Sequence, residues 1–399
     1  MRRVLPYLFA SLLCPLAAQE MPDHPAPEQL GEVRFPVSCK TTVQLEFNRG
    51  VALLHSFAYA AAATAFRDVA AEDPQCAMAH CGVARTYYRQ LWEPAILPDS
   101  VAAAQQEIEQ GLRIGVANAS TSSEREQKFL HAAALIFEDA ASVPYRTRAA
   151  SYERAMAELA AANKQDDEAQ VFYALALLAN ASPADKSHAK QKQAADILEP
   201  LLRAHPQHPA IPHYLIHAYD NAELAQRGLT AAQLYSQIAP SAPHALHMPS
   251  HIFTRLGLWD DSIAANAAHR AGDIGEELHT MDYLVYAYLQ SGRDAEAAAV
   301  IGQLKAMPQL NTADFKIGYA STAMPIRYLV ERERWADAAL VIPPKSAPPH
   351  VVAIAAWARG LGLARSGHAG EVRKPMMTCR ELKTSFTPRA TTTGRRKSG

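Results

Sequence analysis

The sequence predicts an all-α chain in which antiparallel helix pairs stack into a solenoid, and three observations carry that expectation. Alanine-rich runs with helical periodicity dominate the 399 residues, and no stretch alternates Val, Ile and Thr as a half-buried strand would. Segment 43–76 places Gly50, Ala62, Phe66 and Pro74 at positions 8, 20, 24 and 32 of a 34-residue unit. Pro206 and Pro240 lie 34 apart, each where such a unit should end.

The chain begins with a targeting segment. Arg2 and Arg3 form a basic start, residues 4–16 an apolar run, and Ala17-Ala18 offers small residues for cleavage near Gln19. That run is too short for an ordinary membrane helix, so residues 1–18 read as a removed signal peptide and the protein as periplasmic or secreted. A lipid anchor at Cys14 is disfavoured by Leu13 before it. No later apolar stretch is long enough to cross a membrane. Residues 19–34 read as a linker and 35–366 as the solenoid.

In the first unit, small residues let the paired helices approach, Phe66 fills the gap and Pro74 stops the second helix. Cys39 precedes the first of those helices and Cys76 follows the second. Antiparallel packing brings both to one end, and export permits a Cys39–Cys76 disulfide. Apolar periodicity predicts helices over 124–137, 146–162, 167–179 and 187–204. Later units begin near Pro209, Pro243 and Leu278, with Gly257 and Gly292 at the turns and Trp259 and Trp335 opening second helices. From Glu371 the composition turns Thr-rich and basic, eight Lys or Arg against two Glu, and residues 371–399 read as a disordered tail.

Composition narrows the function. Half the chain is hydrophobic (49%) and the net charge is −1, which gives no reason to expect a nucleic-acid partner. There is no Gly-rich phosphate loop, CxxC pair or HExxH motif, and Ser250 and His251 are adjacent and cannot face each other as nucleophile and base.

Histidine is the informative residue. Nine of 16 fall between His205 and His279. His213 and His217 are four apart, as are His247 and His251, so each pair projects from one helical face. Adding 34 to the first pair gives the second, so the two occupy equivalent places in consecutive units. His244 and His279 stand at position 2 of their units, Asp220 at position 12, and Asp282 and Tyr286 at positions 5 and 9. Packed helices lie about 8–10 Å apart, close enough for imidazoles on neighbours to meet at one ion. His213, His217, His247 and His251 are therefore candidate metal ligands for zinc, copper or iron, with Asp220 or Asp282 as ligand or outer-shell acceptor. The same residues could instead serve a metal-free ligand site, or simply pack.

The strings FNRGVALLHSFAYAAAATAF, DPQCAMAHCG, HYLIHAYD, HALHMPSHIFTRLGLW and DYLVYAYLQ together resemble a group of exported bacterial tetratricopeptide-repeat (TPR) proteins, over about 35–366. The resemblance implies a right-handed helical superhelix with a concave groove, and an envelope location. It carries no catalytic residues. In such repeats the face bearing positions 5 and 9 lines the groove. The resemblance thus implies that His244, Asp220, Asp282, Tyr286 and His279 meet a peptide segment, partner protein or small ligand there, with a metal-dependent enzyme or metal-binding protein as the alternative.

Overall fold

The computed structural model describes residues 28–91, 96–118, 123–268 and 273–386; the expected signal peptide and the last part of the tail lie outside the described residues. Within them every regular element is helical. Successive helices pair as hairpins: α1 (Gln44–His55) with α2 (Tyr59–Glu72), α3 (Ala77–Thr86) with α4 (Pro98–Ala117), α5 (Glu124–Phe137) with α6 (Tyr145–Ala162), and α7 (Asp167–Ala179) with α8 (Ala189–Ala204). The later hairpins are α9 (Ala210–Tyr219) with α10 (Leu229–Ile238), then α11 (Pro243–His247) and α12 (Pro249–Leu256) with α13 (Trp259–Ala268). They continue as α14 (Ile274–Gln290) with α15 (Asp294–Ala306), α16 (Phe315–Glu331) with α17 (Trp335–Ala339), and α18 (Pro349–Arg365) with α19 (Arg373–Phe386). The fold is an all-α, TPR-like solenoid.

The sequence signals act where they stand. Phe66 fills the first hairpin so closely that a Cβ on Gly50 would lie 2.8 Å from its ring, and one on Gly82 only 2.5 Å. Gly257 and Gly292 take φ of 71° and 73°, the left-handed turn that glycine adopts without a Cβ penalty. Trp259 and Trp335 open α13 and α17. Asp166, Asp273 and Asp314 each cap a helix by accepting a backbone N–H from its first turn. Cys39 and Cys76 are joined, their Cα atoms 4.9 Å apart.

Two segments differ from the sequence expectation. Residues 28–34, read as linker, form an ordered strap: Leu30 and Val33 are buried, and Glu32 N–H donates to the Gln207 carbonyl at 2.8 Å. Gly31 lets the strap lie down, because at φ 79° a Cβ there would approach the Gln207 carbonyl oxygen to 2.5 Å. At the other end, the region from 371 onward, read as disordered, forms a short 3₁₀ turn and α19 as far as Phe386. The basic composition hid a helical stripe, Val372, Pro375, Cys379 and Leu382, which is partly or fully buried.

The curvature matters most for function. The stack closes until α1 meets α9, so the inner face between the first and fifth hairpins is packed with side chains. One continuous core runs from Leu30 to Phe253, and a second, smaller one from Leu278 to Met324. No helix among the described residues is long and apolar enough to cross a membrane.

Candidate metal centre

The histidines sit on four helices. His213 and His217 lie on α9, His244 and His247 on α11, His251 on α12 and His279 on α14. Pro249, which has no N–H to donate, separates α11 from α12 at Met248, yet His247 and His251 still share one face. The Nε2 atoms of His213 and His217 are 3.1 Å apart, and so are those of His247 and His251.

The four sequence-predicted ligands do not form one cage. They divide into two groups, each completed by the position-2 histidine of the next unit: His213, His217 and His244 in one, His247, His251 and His279 in the other. Within each group one ring nitrogen per residue lies within 4.8 Å of the others. The groups are equivalent sites one repeat apart. Nor is the setting an open groove: His213 and His247 are wholly buried, while His217 and His279 are partly exposed. A cavity of about 300 Å³ reaches His244 past Phe57 and Tyr59.

The outer contacts fix the tautomers. His213 Nδ1 donates to the His55 carbonyl at 2.6 Å, a last-turn carbonyl of α1 left over at the helix end. His247 Nδ1 donates to Asn266 Oδ1 at 2.6 Å, and the Asn266 amide is oriented by its own bond to the Ser262 carbonyl. His251 Nδ1 donates to Asp220 Oδ2 at 2.9 Å, with the Tyr283 hydroxyl 3.1 Å away. Arg255 Nε bonds the other oxygen of Asp220 at 2.7 Å. In all three rings Nδ1 carries a proton and Nε2 faces inward.

Burial decides the charge. It pushes His213 and His247 well below the ordinary imidazole value, each helped by neighbouring histidines, and His279 down to about 3. His217 is lowered the same way, and His244 is lowered by burial although Glu276 opposes it. Burial works to raise Asp220, but His251 and Arg255 outweigh it and hold the carboxyl well below the usual range. The lowered rings are neutral at pH 7, the form that binds metal.

Not every predicted site residue joins this group. Asp282 pairs with Arg327 at 3.1 Å, and Tyr286 lies edge-on to Trp259 with the Arg327 guanidinium over its ring. They form a patch of their own, because the site is reached from positions 2 and 6 of that unit, His279 and Tyr283. Asn266, Glu276 and Tyr283 were missed, as was Phe57, a non-glycine at φ 56° whose ring lies 4.5 Å from that of His213. Repeat arithmetic could have flagged Tyr283. Nothing local announces Phe57 or the His55 carbonyl, which lies 158 residues from His213.

A third cluster contrasts with these. Glu168 accepts from His55 Nε2 at 2.9 Å and His208 Nε2 at 3.0 Å, and His55 Nδ1 accepts from the Tyr214 hydroxyl at 2.8 Å. Each of those three contacts has a proton to share, so Glu168 satisfies the two imidazoles by hydrogen bonding, with only His208 Nδ1 left without a partner.

No family model matches the chain, and no curated protein matches it. Among solved structures, the TPR domain of P58(IPK) is similar, at 10% identity over 88% of this chain and all of that one, with a TM-score of 0.20. A likeness that distant carries no argument about what the chain does.

Proposed function

We propose that this chain is an exported helical-repeat protein that binds a transition-metal ion through the imidazoles of consecutive hairpins. The observation that carries the reading is the His247–His251 contact. Both rings give an Nδ1 proton to an outer acceptor, so the two Nε2 atoms face each other across 3.1 Å with, in neutral rings, a lone pair on each. Lone pairs so placed repel unless a cation lies between them. A proton is one candidate; burial beside three other histidines opposes placing it on His247, while on His251 it would face Asp220 at 2.9 Å. A metal ion is the other. An ion about 2.0–2.1 Å from each nitrogen would subtend roughly 100° at this spacing, a tetrahedral-to-octahedral angle that suits zinc, copper or iron.

Three imidazoles leave a coordination position open, which is the arrangement of catalytic rather than structural zinc. A metal-dependent enzyme would use that position; a metal-handling protein needs no turnover. Asp220 and Asn266 then act as the outer acceptors that orient ligating histidines. Because the His-bearing face is packed rather than open, a long peptide is a poorer occupant than a small ligand entering beside His244. The Cys39–Cys76 bridge supports an oxidising, envelope location.

The test is elemental analysis of protein purified without a histidine tag, beside a His213→Ala/His247→Ala variant. Stoichiometric metal in the first and its loss in the second is the expected result. Wild-type protein that carries no metal and takes up no zinc, copper or iron in titration would end the proposal.

A further inference from the structure

Two three-histidine sites side by side raise the question of whether they act separately. The short helix α11 gives one ligand to each, His244 and His247, whose ring centroids are 6.3 Å apart. The outer carboxylates cross over. Asp220 follows directly on α9, which carries His213 and His217, yet it holds His251 of the other group. Glu276 rides on α14 with His279, yet its carboxylate lies 3.8 Å from His244 Nδ1 in the first group. Each site therefore takes its negative charge from the element that builds its neighbour. Displacing the ligand helix of one site would therefore move the carboxylate that faces the other.

The donor set also narrows the choice of ion. All six inner ligands are imidazoles and no carboxylate is among them. Hard cations such as magnesium or calcium want oxygen, while nitrogen sites bind divalent copper most tightly of the first-row series. We propose that the six histidines hold two copper ions as one coupled pair. This rests on the metal-binding reading above and adds to it the number of ions, their identity and their interaction.

The experiment uses full-length, tag-free protein loaded with Cu²⁺, beside His217→Ala and His279→Ala, one disabling each site at a partly exposed position. Circular dichroism and melting curves confirm that the variants fold. Wild-type protein is expected to take two equivalents and each variant one. The electron paramagnetic resonance spectrum of the loaded wild type should be broadened and show a half-field transition that neither variant has. Two equivalents bound, with a spectrum equal to the sum of the two variants, would overturn the coupling and leave metal binding intact. A single equivalent in the wild type would overturn the pair. No copper, zinc or iron bound at all would remove the metal-binding reading itself.

Discussion

His279 shows how much one buried imidazole contributes. In the unfolded chain it takes up a proton near pH 6.5, whereas in the folded protein burial holds it off until about 3. Its contribution to stability is therefore whole above the unfolded value and lost as the pH falls through the window between the two. By pH 5 the loss is about 2 kcal/mol for this ring alone. Metal-free protein should melt lower at pH 5 than at pH 7, and a His279→Gln variant should lose less over the same interval. Parallel losses in both proteins would contradict the assignment. The depressed carboxylates Asp220 and Glu276 add their own acid sensitivity only below the ordinary carboxyl range, outside that interval. At this scale the sequence marked the histidines and, in Asp220, one of their outer acceptors, and was silent about Asn266 and the His55 carbonyl. The 34-residue spacing of His213, His217, His247 and His251 is visible in one dimension. It could not show that His244 and His279 would split the four into two groups, since that depends on how far each helix rotates against the next.

At the scale of elements, turn chemistry made the hairpins legible. Helices α5 and α7 begin and end where apolar periodicity places them, and Pro206 and Pro240 stand just past the ends of α8 and α10. What stayed hidden was structure without periodicity: the strap at 28–34, which lies against Gln207, Pro209 and Ile238 far along the chain, and α19, whose stripe lies among basic residues. The Cys39–Cys76 bridge was legible because a hairpin returns the chain to its starting end. It closes a loop of 37 residues and, on chain-entropy grounds, stabilises by about 3–4 kcal/mol. Replacing both cysteines with alanine should lower the urea midpoint by a corresponding amount while leaving the helical content unchanged. An unaltered midpoint would mean the strap and the Phe66 packing hold the first hairpin unaided.

For the molecule as a whole, the decisive feature is closure. An open solenoid unfolds from its ends because each unit touches only its neighbours. Here the first hairpin also grips the fifth, and the core from Leu30 to Phe253 is continuous, whereas that from Leu278 to Met324 is separate. Native-state hydrogen exchange should find α1 to α12 opening together at high cost, and α14 to α16 opening earlier. Uniform protection along the chain would count against this division. Closure has a temporal consequence as well. The carbonyl that steers His213 is translated 158 residues before that ring exists, so the first hairpin must wait for the fifth before this contact can form. On the metal-binding proposal the ligands run from His213 to His279, so both triads can hold an ion only once synthesis has passed α14, and the metal is no seed for the hairpins before them.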